Sequence, residues 1–107
     1  MTTVVNKYRA PAGWQQDQQF VYIGRGSIFG NPYKVNAYCN LCGKIHSTGG
    51  STLKCYTEYF NDKLLSDPNF KQAVLKLKGK TLVCFCKPKP CHGDIIAAYV
   101  NNLSDGG

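Results

Sequence analysis

The sequence predicts an α/β fold: a small single domain with a parallel or mixed sheet packed by about three helices, carrying a cysteine-containing loop excursion. Three observations lead there. A chain of 107 residues has room for one hydrophobic core. Short β-branched and aromatic runs, bounded by proline and glycine, alternate with segments whose apolar residues recur at helical spacing. Their order (strand, strand, helix, helix, strand, helix) is that of an α/β domain, in which parallel strands are joined by helical crossovers. Residues 1–103 are read as the domain and 38–50 as a zinc-knuckle-like insertion, with Ser104-Asp105-Gly106-Gly107 a disordered tail.

Each element rests on a local signal. Val4-Val5 within residues 3–8, and Phe20-Val21-Tyr22-Ile23, have strand composition. The segment from Gly24 to Pro32, with glycines at 24, 26 and 30, is a loop. Residues 38–50 form the excursion, opening on Cys39-Asn40-Leu41-Cys42-Gly43 and closing on Gly49-Gly50. Ser51 is the expected N-cap of a helix whose apolar face runs Leu53, Tyr56, Phe60, Leu64. Asp67-Pro68 reads as N-cap plus N1 proline of a shorter helix through Phe70, Val74 and Leu77, stopped by Gly79. Residues 80–86 give the third strand, and Ile95, Ile96, Tyr99, Val100 and Leu103 mark the buried side of a last helix.

Composition narrows the function classes. With 43% hydrophobic and 18% charged residues the chain is too apolar to be disordered. No apolar run approaches a membrane span, and Met1-Thr2-Thr3-Val4-Val5-Asn6 lacks the features of a signal peptide, so a cytoplasmic protein with no membrane partner is expected. In a reducing compartment the six cysteines are expected as metal ligands, reactive thiols or small core residues rather than disulfides. The formal charge is +7, and Lys71, Lys76, Lys78, Lys80, Lys87 and Lys89 fall in one stretch without an acid. Such a stretch suits phosphate-bearing partners, nucleic acid included, and equally suits a solvated face.

The densest chemistry is Cys84-Phe85-Cys86-Lys87-Pro88-Lys89-Pro90-Cys91-His92-Gly93-Asp94. Strand alternation points Cys84 and Cys86 the same way, and a proline-bearing turn can return Cys91 and His92 to them, giving four ligands for tetrahedral zinc. The rival reading keeps the thiols reactive: Cys91 at a helix N-terminus would be a nucleophile, with His92 or Asp94 as acid/base. A second set, Cys39-x2-Cys42-x3-His46-x8-Cys55, also offers three thiols and an imidazole. Cys55 could instead simply pack in the first turn of its helix, or Cys39 and Cys42 could complete a site shared with residues 84–92. The candidate metal ligands thus number eight (Cys39, Cys42, His46, Cys55, Cys84, Cys86, Cys91, His92), to be divided among zero, one or two metals.

The loop Gly24-Arg25-Gly26-Ser27-Ile28-Phe29-Gly30 has G-x-G-x3-G spacing, so the dinucleotide fingerprint is absent. Its glycines still let backbone N–H groups approach an anion. Arg25 can make a bidentate phosphate contact, and Asn31 before Pro32 can read a base or ribose hydroxyl. A plain turn with Arg25 in a structural ion pair is the alternative. Tyr8, Trp14, Phe20, Tyr22, Phe29, Tyr33 and Tyr38 crowd the N-terminal third; most are expected in the core, with stacking on bases as their other use.

Three segments together resemble the domain of unknown function 4326 family, common in phages and bacteria: Val21-Tyr22-Ile23-Gly24-Arg25 with Gly30-Asn31-Pro32, the helix containing Tyr59, and residues 77–88 with Cys91-His92-Gly93-Asp94. The resemblance implies that Gly24, Arg25, Gly30, Asn31, Pro32, Cys84, Cys86, Pro88, Cys91, His92 and Asp94 are shared positions, and a phage or bacterial origin. It brings no reaction with it. Thr52 stands where relatives usually have arginine, and the insertion with Cys39 and His46 is absent from most of them.

The resulting expectation is a zinc-stabilised binding protein for a nucleotide or other phosphorylated ligand. Its cleft would lie between the Gly24-to-Pro32 and Cys86-to-Asp94 loops, with Gly24, Arg25, Gly30, Asn31 and Asp94 binding the ligand. Two alternatives stand beside it: an enzyme on nucleotides or nucleic acid using Cys91, His92 and Asp94, and a phage zinc-bearing adaptor for nucleic acid or a host protein in the host cytoplasm. The oligomeric state is left open.

Overall fold

A computed structural model describes residues 2–85 and 91–103. Three parallel strands, β1 (Thr3–Asn6), β2 (Phe20–Tyr22) and β3 (Thr81–Cys84), form a sheet in the order β1-β3-β2. Of the parallel and mixed alternatives, the sheet is parallel. The register aligns Val4 with Leu82 and Leu82 with Val21, so these three residues share one face of the sheet. On that face Val4, Val21, Ile23, Leu82 and Cys84 join the core with Tyr56, Phe60, Phe70, Val74, Ile96 and Val100 of the three helices.

The helices are α1 (Gly49–Ser66), α2 (Pro68–Leu75) and α3 (His92–Asn101). Asp67 caps α2, its carboxylate accepting from Phe70 N–H with Pro68 in the first turn, as the sequence predicts. Leu77 is buried but lies in the turn beyond α2, where Gly79 takes φ +80°. The cap of α1 differs from expectation. Thr48, not Ser51, is its N-cap, so Cys55 sits in the second turn, and the Ser51 hydroxyl is directed elsewhere.

The strands are shorter than the sequence suggests, for local reasons. Residues 7–9 form a 3-10 turn because the Asn6 side chain accepts from Tyr8 N–H at 2.8 Å. The third strand begins at Thr81, since Lys80 N–H closes a turn on Leu77 C=O; its expected end at Cys86 lies outside the described residues, as does the tail at 104–107. The N-terminal aromatics are the largest departure. Of the seven expected mainly in the core, only Phe29 is buried, while Tyr8 is 82% and Tyr38 71% exposed.

No helix among the described residues is long and apolar enough to cross a membrane.

Candidate metal centre and the groove beside it

Residues 38–45 form a tight knuckle. Tyr38 bridges Ile45, Cys39 N–H donates to Lys44 C=O (2.9 Å), and Gly43 N–H returns to Cys39 C=O (2.8 Å). Gly43 has φ +74°, where glycine alone is unstrained. This turn faces the second turn of α1, which supplies Cys55.

Among the described residues, the ligand atoms of Cys39, Cys42, His46 and Cys55 all lie within 4.8 Å of one another. Tetrahedral zinc with Zn–S near 2.3 Å and Zn–N near 2.05 Å sets ligand separations of about 3.8 Å between sulfurs and about 3.6 Å from sulfur to nitrogen. The Cys39 and Cys55 Sγ atoms are 3.6 Å apart, and Cys42 Sγ is 3.7 Å from His46 Nε2. The set therefore has the size of a tetrahedral metal site and could hold a metal such as zinc.

His46 is oriented for the same purpose. The Ser51 hydroxyl donates to Thr48 C=O at 2.7 Å, so its oxygen accepts from His46 Nδ1–H at 3.0 Å. This leaves the Nε2 lone pair toward Cys42, the tautomer a metal requires. Ser51 was expected to cap the helix; its role as the imidazole's partner shows only in three dimensions. The thiols are polarised as well. Burial would raise Cys39, but backbone N–H groups of Cys42 and Leu41, with His46 and Cys55, overcome it and hold Cys39 down at about 6. Burial, then the neighbouring Cys39 and Cys42 sulfurs, push Cys55 up to about 12.

The second set is built differently. Cys84 ends β3 and Cys91 is the N-cap of α3, both fully buried with their Sγ atoms 2.9 Å apart. Cys91 Sγ accepts from Gly93 N–H while Asp94 accepts from Cys91 N–H at 3.1 Å, a capping box with sulfur in the serine position. His92 Nε2–H donates to Ile23 C=O at 2.6 Å, its Nδ1 is 3.7 Å from Cys91 Sγ, and its ring meets Tyr56 edge-on. Gly93 packs closely here: a Cβ would stand 2.6 Å from Ile23 Cδ1, so a larger residue would displace that side chain. Cys86 lies outside the described residues.

The Gly24 loop follows β2 as predicted. It folds on itself: Ser27 N–H and Oγ–H both donate to Gly24 C=O, and Gly30 N–H donates to Ser27 C=O. Gly30 packs so that a Cβ would lie 2.9 Å from Gly24 O. Asn31 is engaged within the protein, donating to Thr52 Oγ1 and accepting from Tyr33 N–H. Arg25 is exposed and lines an open concavity of about 340 Å³ with Ser27, Asn31, Lys34, Tyr59 and Lys63. Asp94 is not among its lining residues, and the wall drawn from residues 86–90 lies outside the described residues. A second concavity of about 560 Å³ shares Tyr59 and Lys63 and adds Tyr33, Asp62 and Leu41, one of the two residues between the knuckle cysteines. Lys63 and Tyr59 are four apart on α1 and hydrogen-bonded at 3.1 Å. Lys63 was not among the expected site residues; its i, i+4 spacing from Tyr59 is the signal that could have found this face.

The model of the domain of unknown function family DUF4326 matches residues 5–102. Over 100 residues the chain is 35% identical to an uncharacterized 12.4 kDa protein from the nrdA-td intergenic region of Enterobacteria phage T4, an alignment covering 94% of this chain and 78% of the phage protein. No solved structure matches.

Proposed function

The chain belongs to the DUF4326 family, and on that premise we propose that it is a zinc-stabilised binding protein for a nucleotide or other phosphorylated ligand. The observation that carries this reading is the groove that Arg25, Lys34 and Lys63 line together with Tyr59. The cations suit phosphate and the aromatic ring suits a base. Relative to the sequence expectation, this reading keeps the Gly24-to-Pro32 wall of the cleft and takes the face of α1, in place of the Cys86-to-Asp94 loop, as the other wall.

The zinc clip serves this groove. Leu41 and Tyr33 belong to the segment that the metal would fasten to α1, and both line the groove's extension. Cys91, His92 and Asp94 are tied into the core and the cap of α3, which favours a structural role for them over a nucleophilic one.

Isothermal titration of the zinc-loaded protein with inorganic phosphate, pyrophosphate and nucleoside mono- and diphosphates tests the reading. Binding that Arg25→Ala and Lys63→Ala each weaken about tenfold, the loss of one charge-assisted contact, supports it. No heat with any of these probes at millimolar concentration overturns it.

A further inference from the structure

The sheet's other face points to a separate binding surface. The helices cover the side bearing Val4, Val21, Leu82 and Cys84. Strand alternation places Val5, Val83 and Tyr22, which pair across the register, on the opposite side, with Phe20, Thr81 and Thr3 one step below and Phe85 just beyond β3. A parallel sheet normally has both faces covered by helices. Among the described residues, the connection from β1 to β2, with its short turns Lys7–Arg9 and Trp14–Gln16, meets this side through the Trp14–Tyr22 contact.

That face carries a row of four aromatic rings. Tyr8 contacts Phe85 (centroids 5.9 Å apart), Phe85 contacts Tyr22 (6.1 Å), and Tyr22 contacts Trp14 (6.5 Å). The first two contacts are edge-to-face, at 62° and 84°. Tyr8 is 82% and Phe85 47% exposed, while Tyr22 and Trp14 are half-buried. Tyr8 is held out by structure: Asn6 accepts from its N–H and donates to Phe85 C=O, joining the turn to the end of β3. Val83, at the centre of this face, is fully buried, so the exposed apolar surface is confined to its Tyr8 and Phe85 end.

Charge selects the occupant. Lys7 Nζ stands 4.9 Å over the Phe85 ring, and the exposed Arg9 follows Tyr8. At the other end Tyr22 lies against Gly24, whose neighbour is Arg25. Residues 1–48 hold one acid, Asp17, against Lys7, Arg9, Arg25, Lys34 and Lys44. Open rings flanked by cations are the elements of single-strand recognition: bases stack on the rings without sequence preference while lysine and arginine meet the phosphates. A protein partner would want a more continuous apolar patch with fewer cations at its centre.

We propose that this sheet face binds single-stranded nucleic acid, with Tyr8 and Phe85 as the stacking platforms and Lys7 and Arg9 as phosphate contacts. Lys7, Tyr8, Arg9 and Phe85 are not among the residues that line the α1 groove.

Fluorescence anisotropy with labelled dT12 and U12, and with a 12-base-pair duplex, tests it on the zinc-loaded protein. Both single strands should bind at 50 mM salt, more tightly than the duplex, and weaken as salt rises. Tyr8→Ala, at a position too exposed to disturb folding, should weaken binding about fivefold or more. Lys7→Ala should flatten the salt dependence. Lys71→Ala, which removes an exposed charge on α2 away from both surfaces, should change neither. A preference for dT12 or U12 would identify DNA or RNA as the strand recognised. Absence of binding at 50 mM salt, equal affinity for duplex, or an unchanged affinity in Tyr8→Ala with Phe85→Ala would each overturn the proposal. So would self-association of the wild type that Tyr8→Ala abolishes, since the face would then meet a second copy.

Discussion

Two clusters in this molecule use the same residue types and differ in what each atom is already doing. Cys39, Cys42, His46 and Cys55 converge from a knuckle and a helix face, with separations of 3.6 and 3.7 Å that match a tetrahedral metal site. Cys84, Cys91 and His92 meet at the end of a strand and the start of a helix, with sulfurs 2.9 Å apart, closer than the roughly 3.8 Å that two thiolates keep on one zinc. The histidines show the contrast best. His46 gives its Nδ1–H to Ser51 and turns a lone pair toward the sulfurs, whereas His92 gives its Nε2–H to the backbone of Ile23 and fastens α3 to β2. A cysteine–histidine motif is therefore a statement about chemistry only after its competing hydrogen bonds are known.

The largest expected effect separates the clusters by metal content. Protein purified without chelator should carry one zinc per chain; Cys39→Ser and Cys55→Ser should carry none, and Cys84→Ala should keep its zinc. With free zinc a thousandfold above its dissociation constant, the site contributes about 4 kcal/mol to folding, so the first two variants should also melt far below the wild type. Acid should release the metal, because protons compete for three sulfurs and an imidazole, and a thiol such as Cys55, pushed up to about 12, must lose its proton to bind. Elemental analysis and melting curves measure both. Two zinc ions per chain, or zinc lost from Cys84→Ala, would break the comparison.

A smaller effect sharpens it. Ser51→Ala removes the acceptor for His46 Nδ1–H, and His46 is buried. Outer-shell partners of this kind are worth roughly 10- to 100-fold in metal affinity. The variant should still bind one zinc, but competition with a chromophoric chelator should show the weaker affinity, and Ser51→Thr should restore it. An affinity unchanged in Ser51→Ala would mean that the imidazole is not held by this bond.

The sequence was most legible where a feature is local. The Asp67-Pro68 start of α2, the strand around Leu82 and the ligand spacing from Cys39 to Cys55 depend on neighbours in the chain. What it hid depends on contacts across the chain. Ser51 looks like an N-cap until Thr48 takes that position and frees its hydroxyl for His46. Asn31 looks like a base reader until its amide is found on Thr52, 21 residues away. The aromatics were misjudged because composition cannot tell which side of the sheet the helices cover, and Tyr22, with Tyr8 beyond β1, falls on the side away from them.

Asp94 gives the finest test, because two readings assign it different work. As a ligand-binding residue it would contribute to affinity; as the N3 residue of a capping box it accepts from Cys91 N–H and places a negative charge at the positive end of α3. Loss of a cap costs about 1 kcal/mol, which for a domain of this size lowers Tm by roughly 4–8 °C. Asp94→Ala should therefore melt several degrees early with its zinc content and its phosphate-ligand affinity intact, and Asp94→Asn, which keeps an acceptor oxygen, should recover most of the loss. Because the α1 groove is lined without Asp94, a tenfold fall in ligand affinity in Asp94→Asn, at unchanged Tm, would return the ligand to the Cys91 end of the sheet and make the second cluster a working site.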